Sequence, residues 1–233
     1  MAPLKVWSKF SAKKGGAAIN LRIVDAPENV REEVINQYLK YYVANDATFK
    51  AAGVPKNAAA MEELRVPMLK EIKQKNYHTV VCCLDTGDDH VKEIFGASMM
   101  TLTSKGDPVP EFDFKTEEMK KLFEMWYGMV SLYDEAKALN TDRYFSDRGL
   151  FVSPEHKGLG VELELLKARR LICKENGISA IGAWVSSSDV QKAAENDGWE
   201  TAFEIQFEEL GKKLGVTFDS DTPSSKFMIA KIQ

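Results

Sequence analysis

The stretch Leu150-Phe-Val-Ser-Pro-Glu-His-Lys-Gly-Leu-Gly-Val-Glu-Leu-Glu-Leu165 joins a strand end, a glycine-bearing loop and a helix start in one short run. The apolar trio at 150–152 reads as a strand. Glycines 158 and 160 let the backbone approach a ligand with no Cβ in the way, and a helix begins directly after them. The first amides of a helix lack intrahelical partners and sit at the positive end of its dipole, so this junction suits a pyrophosphate. Lys157 adds a positive charge at the rim. Spacing excludes two familiar phosphate loops: there is no G-x-x-x-x-G-K-[ST], and the three glycines of the dinucleotide fingerprint are missing. Strand–turn–helix units of this kind also occur with no ligand.

Working outward, residues 20–25 alternate as a short strand. Asp25, Pro27 and Glu28 form the pattern of a capped helix start. Val30, Val34, Tyr38 and Tyr41 or Tyr42 then carry the helix to about residue 42. A second helix is expected over 58–75. Strands over 77–84 and 91–102 flank a turn-rich segment, and Gly106, Pro108 and Pro110 place a loop over 103–113. A long amphipathic helix spans 115–139. Gly149 precedes the strand at 150–152 and suggests a bulge or a close backbone approach. The quoted junction opens a helix over 159–176 that stops at Gly177. A strand over 179–185, a helix over 187–196, a strand over 199–207, a polar loop over 219–225 and a strand over 227–232 complete the chain. No repeat or linker interrupts this order. One α+β (mixed α/β) domain is expected over 20–233, preceded by a basic extension over 1–19.

Apolar residues make up 44% of the 233, enough to bury a core and too many for disorder. The net charge of −4 offers no basic field to nucleic acid or to a membrane surface. The longest apolar run, 80–84, falls far short of a membrane span. Cys82 and Cys83 are neighbours within a strand and Cys173 stands alone, which is neither a disulfide framework nor a zinc-ligand spacing. Reduced thiols and a cytoplasmic location are expected. His78 and His90 have no ligand partners at metal spacing, so no metal site is expected. His156 either touches a phosphate or is an exposed loop residue, the commoner case. The first acidic residue is Asp25; the basic, acid-poor start before it hints at a transit peptide, against which its few serines count.

The quoted stretch resembles motif A of the GNAT N-acetyltransferases. Lys157-Gly-Leu-Gly-Val-Glu162 falls on the consensus Q/R-x-x-G-x-G/A, with Pro154-Glu155 before it, and the order of elements agrees. More narrowly, the chain is similar to the insect arylalkylamine N-acetyltransferase group. Tyr41-Tyr-Val-Ala-Asn-Asp46, Ser186-Ser-Ser188, Gly198-Trp199 and Phe203-Glu-Ile-Gln-Phe207 fall in that group's order. The resemblance implies a GNAT fold: a central twisted mixed sheet of about seven strands, flanked by helices and splayed between the fourth and fifth strands. It implies direct transfer of an acetyl group from acetyl-CoA to a primary amine, aromatic or polyamine-like, in a monomer that binds no nucleic acid and no membrane. The pantetheine arm would pair with the backbone of Phe151 and Val152. The pyrophosphate would sit beside Lys157 on the amides of Gly158, Leu159, Gly160, Val161 and Glu162.

In the same resemblance Asp46 takes the place of a glutamate that removes the amine proton, and Ser186 that of a hydroxyl donor to the leaving thiolate. Ser187 or Ser188 would cap the following helix. Departures from the pattern are lysine at 157 where arginine is usual, and glutamate at 162 where glycine or alanine is usual. Ala194 stands at the place of a tyrosine acid and Val190 at that of a second serine. The alternative is therefore a catalytically weak relative that binds an acyl-CoA or an amine. Tyr41, Tyr42, Phe49, Trp126 and Tyr127 either line an amine pocket or fill the core. Asp142 and Asp147 either attract a polyamine or solvate a turn.

Overall fold

The computed structural model describes residues 3–104, 107, 112–220 and 222–232. Gly106, Pro108 and Pro110, which placed the loop over 103–113, lie outside the described residues. Strands β1 (Val6–Lys14), β2 (Ala17–Asp25), β3 (Tyr77–Leu84), β4 (Gly96–Ser104) and β5 (Arg143–Val152) form one antiparallel sheet in that spatial order. Strands β6 (Ala180–Val185), β7 (Glu200–Gln206) and β8 (Ser224–Lys231) form a second, in the order β6-β8-β7. The single mixed sheet of about seven strands is therefore two antiparallel sheets of five and three, parted where the splay was expected. The helices are α1 (Arg31–Gln37), α2 (Ala47–Ala52), α3 (Ala58–Glu71), α4 (Glu117–Val130), α5 (Glu135–Leu139), α6 (Val161–Glu175), α7 (Ser188–Asn196) and α8 (Phe207–Leu214).

The continuous apolar run of β3 follows from its position inside the larger sheet. Side chains alternate between faces along a strand. Val80 and Cys82 enter the core shared with Leu165 and Ile172 of α6, whereas Val81 and Cys83 enter the core shared with Val34, Leu64 and Leu122 of α1, α3 and α4. Helices cover both faces, so no polar face is left to interrupt the run. All three cysteines are buried and free.

The basic start of the chain is not an extension. β1 pairs with β2 across a turn in which Gly15 and Gly16 both have positive φ (59° and 84°), the conformation a tight hairpin favours. Trp7, Phe10 and Ala12 pack inward, and the intervening lysines keep this edge strand in water. The hairpin also overturns the capping box. Asp25 Oδ1 accepts from Trp7 Nε1 (2.6 Å) and faces His78 Nε2 (3.1 Å), and the helical segment begins instead after Pro27 with no side-chain cap. The long helix over 115–139 is two helices, because the Asp134 side chain accepts from the Lys137 amide and starts α5 afresh. The segment after α1 continues as a π-turn over Tyr38–Val43, and α2 and α8 are helices that the residue pattern did not mark.

Candidate active site

The strand that ends in the glycine loop carries the bulge anticipated at Gly149. β4 and β5 pair Met99 with Gly149 but Met100 with Asp147, so Arg148 is the extra residue. Glycine is required at 149 twice over: its φ is 115°, and a Cβ there would lie 2.4 Å from Tyr38 Cε2. The bulge is clamped by Arg169 of α6, which is 1% exposed. Its Nη2 donates to Asp147 Oδ1 (2.7 Å) and to the Gly149 carbonyl (3.0 Å), and its Nε donates to Ser98 Oγ (2.7 Å). Nothing in the sequence singled Arg169 out. Beyond the bulge, β5 and β6 lie side by side with no ladder between them. Phe151 and Val152 thus pair with β4 on one edge only, and the other edge faces the gap, where an extended chain could add as a strand.

At the end of this gap the two sides of the molecule meet. Asp46 follows the π-turn and is the N-cap of α2, where its Oδ1 accepts from the amides of Thr48 (2.9 Å) and Phe49 (3.2 Å). Its Oδ2 accepts from Ser186 Oγ at 2.7 Å, a contact between residues 140 apart in sequence. Ser186 follows the last residue of β6, and Thr222 Oγ1 donates to its carbonyl at 2.7 Å. The helix cap is Ser187, which makes no side-chain capping bond, so Ser186 is free of that role. The structure thus brings together Asp46 and Ser186.

A cavity of about 490 Å³ opens beside this pair. Tyr42, Phe49, Trp126 and Tyr127 line it, as do Tyr38, Phe123, Trp184 and Phe227; Tyr41 packs near Phe151 instead. Tyr38 and Tyr42 stack with centroids 4.8 Å apart. Burial, with the Asp46 charge behind it, holds both phenols well above their ordinary pKa, so they enter any chemistry as hydrogen-bond donors. Ala194, at the place of the tyrosine acid, is buried in the core among α6 and α7 side chains. Glu71, Glu135 and Arg148, which the sequence did not mark, also line the cavity.

The glycine loop has an open backbone, and its charged side chains are engaged with one another or with their own chain. Gly158 and Gly160 have φ of 77° and 78°, and a Cβ on either would meet nothing within 4 Å, so conformation rather than crowding demands glycine there. Gly160 is the N-cap of α6 and supplies no side-chain acceptor to the first helical amides. Lys157 Nζ, however, is held by Asp189 Oδ2 at 3.0 Å. The Glu162 side chain is 8% exposed and turns back to its own backbone N–H. Burial, with Asp189 nearby, raises its pKa against that hydrogen bond and Lys157. The side chains of Leu159 and Val161 pack into the core.

His156 is not the exposed loop residue expected. It is 1% exposed, stacks on Phe95 (3.7 Å between centroids), and its Nδ1 meets Ser153 Oγ at 2.5 Å. Its Nε2 lies 3.3 Å from Glu93 Oε1 but makes no hydrogen bond of good geometry, and burial lowers its pKa. The ring braces the loop from below.

Neither a protein-family model nor a curated protein matches the chain. Solved structures do. One assigned as arylalkylamine N-acetyltransferase 7 of the yellow fever mosquito Aedes aegypti is 22% identical, with a TM-score of 0.83 over 99% of this chain and 96% of that one. Arylalkylamine N-acetyltransferase 2 of Aedes aegypti is 17% identical, with a TM-score of 0.75 over 91% and 99%. A GNAT superfamily phosphinothricin acetyltransferase of Sinorhizobium meliloti, solved with acetyl-CoA, is 13% identical, with a TM-score of 0.53 over 91% and 88%. At these identities it is the fold that is shared, and the chain has the GNAT fold in the form seen in insect arylalkylamine N-acetyltransferases.

Proposed function

We propose that the protein is an acetyl-CoA-dependent N-acetyltransferase that transfers the acetyl group directly to a primary amine, arylalkylamine or polyamine-like. The observation that carries this reading is the Asp46–Ser186 hydrogen bond of 2.7 Å at the head of an aromatic cavity, beside the gap between β5 and β6. The fit to acetyl-CoA rests on three features. The β5 edge at Phe151 and Val152 is unpaired toward the gap, the loop glycines leave open space, and the N-cap of α6 offers no side-chain acceptor to compete with a ligand.

An alkylamine arrives protonated, with a pKa of about 10.4, and must lose a proton before it attacks the thioester. Ser186 Oγ takes that proton while passing its own to Asp46 Oδ2, so the hydroxyl fills the place of a relay water. The neutral amine attacks the acetyl carbon and the C–S bond breaks. Asp46 returns its proton through Ser186 to the departing CoA thiolate, and the second amine proton leaves to solvent. None of the three cysteines lines the cavity. Burial raises the thiols of Cys82 and Cys83 and holds Cys173 at about 12, so none is placed or ionised to carry the acetyl group.

One observation favours a second reading, a relative that binds without efficient turnover. The buried Glu162 carboxylate stands on the helix start where a pyrophosphate would lie. Calorimetric titration of acetyl-CoA, followed by thiol release with a panel of amines, separates the two. Binding with amine-dependent release supports the transferase, and binding without release supports the second reading.

A further inference from the structure

When an amine attacks a thioester, the acetyl oxygen takes up the charge of a tetrahedral intermediate. A preorganised donor facing that oxygen lowers the barrier. Asp46 and Ser186 are bonded to each other and occupied with protons. With the pantetheine arm on Phe151 and Val152 and the pyrophosphate on the glycine loop, the thioester end points back along β5. It reaches toward Gly149, two residues and about 7 Å before Phe151.

Tyr38 stands on that glycine. A Cβ at 149 would lie 2.4 Å from its Cε2 and 3.1 Å from its Cζ, so the contact runs along the ring edge next to the hydroxyl. The ring is 6% exposed, stacks on Tyr42 and meets Phe151 T-shaped at 6.4 Å between centroids, which fixes its orientation. It lines the cavity, and its hydroxyl has no hydrogen-bond partner among the described residues.

Other groups on the cavity wall serve that oxygen less well. Tyr42 also lacks a partner, but it packs T-shaped on Phe49 of α2 (6.2 Å), whereas the contact with the bulge glycine belongs to Tyr38. Glu71, likewise unpartnered, is a carboxylate and accepts rather than donates. Arg148 is exposed and directs its Nε to Thr101 Oγ1 (3.2 Å), and Tyr77 donates to Met99 Sδ (3.5 Å).

We propose that Tyr38 is a further catalytic residue, whose hydroxyl donates to the thioester oxygen and, as the amine attacks, to the oxyanion that forms there. The phenol keeps its hydrogen throughout. The charge leaves the oxygen when the C–S bond breaks, and the carbonyl re-forms as the amide. Burial, with the Asp46 charge nearby, holds the phenol well above its ordinary pKa, which keeps that hydrogen in place. The proposal rests on the transferase reading for the reaction, but its first test is a spectrum of the bound thioester and needs no turnover.

That test is the infrared band of acetyl-CoA, isotopically labelled at the acetyl carbonyl and bound to the whole protein. A hydrogen bond lowers a carbonyl stretch, so the band should move to higher frequency in Tyr38→Phe, which removes only the hydroxyl. In amine-dependent thiol release the same variant should lose about 10²-fold in kcat, with the amine KM kept within about twofold. The loss should be flat across pH, since Tyr38 exchanges no proton, and the melting temperature reports that the fold is kept. An unmoved band, a band that moves in Tyr42→Phe but not in Tyr38→Phe, or a loss confined to the amine KM would overturn the proposal. Failure of every amine to release CoA, with the band shift intact, would remove the transferase reading and leave the carbonyl donor standing.

Discussion

The two ends of the site are built in opposite ways. The proposed anion end, from Phe151 to Glu162, is one continuous run of chain: a strand edge, two glycines in left-handed conformation and a helix start whose N-cap glycine offers no side-chain acceptor. The proposed amine end is assembled from the π-turn, α4, the bulge and β6, and its central pair joins residues 140 apart. In this reading backbone supplies most of the chemistry at the first end and side chains nearly all of it at the second. Side-chain changes should therefore be severe at the amine end and graded at the anion end, where they modulate a backbone cradle.

The sharpest break of that comparison is Asp46→Asn. The amide still caps α2, so stability should shift by under about 1 kcal/mol, while loss of the base should lower kcat/KM by about 10²- to 10³-fold at neutral pH. The loss should shrink toward high pH, where free amine needs no base. A loss that stays flat across pH would remove Asp46 from the role.

A smaller effect is expected from Glu162→Gln. If its carboxylate opposes the pyrophosphate, acetyl-CoA should bind about tenfold more tightly at neutral pH, as for removal of one repulsive charge at close range. The sign with pH follows from the raised pKa of this group. Wild-type affinity should fall as pH rises through that pKa, and the variant should lack the slope. Unchanged affinity and slope would show that the carboxylate does not reach the phosphate.

The smallest effect belongs to His156, which braces the anion loop without facing it. Its folded-state pKa is lowered by burial, so the stability it contributes is complete above the unfolded value of about 6.5 and is lost as pH falls through the folded one. The melting temperature should decline on acidification below about pH 6.5, and less so in His156→Gln. Parallel pH curves for the two proteins would contradict this.

How much of this was legible follows the same division. The glycine loop and its helix were readable because local conformation and local sequence coincide there. Asp46 and Ser186 were marked only through resemblance, and no pattern in the chain foretells that the two hydrogen-bond. Glu135 and Arg169 were invisible, since a carboxylate that starts a short helix and an arginine amid a helical repeat look like surface residues until packing places them. At the N-terminus, lysine-rich composition masked a strand whose alternation and Gly15-Gly16 turn were in plain view. Asp25 shows the converse, a correct local pattern defeated by tertiary partners, Trp7 and His78.

The most direct test of the central claim is release of free CoA thiol from acetyl-CoA in the presence of a mixed panel of primary amines. The account predicts release that depends on an amine and is lost with Asp46→Asn. Binding of acetyl-CoA with no amine-dependent release would contradict it.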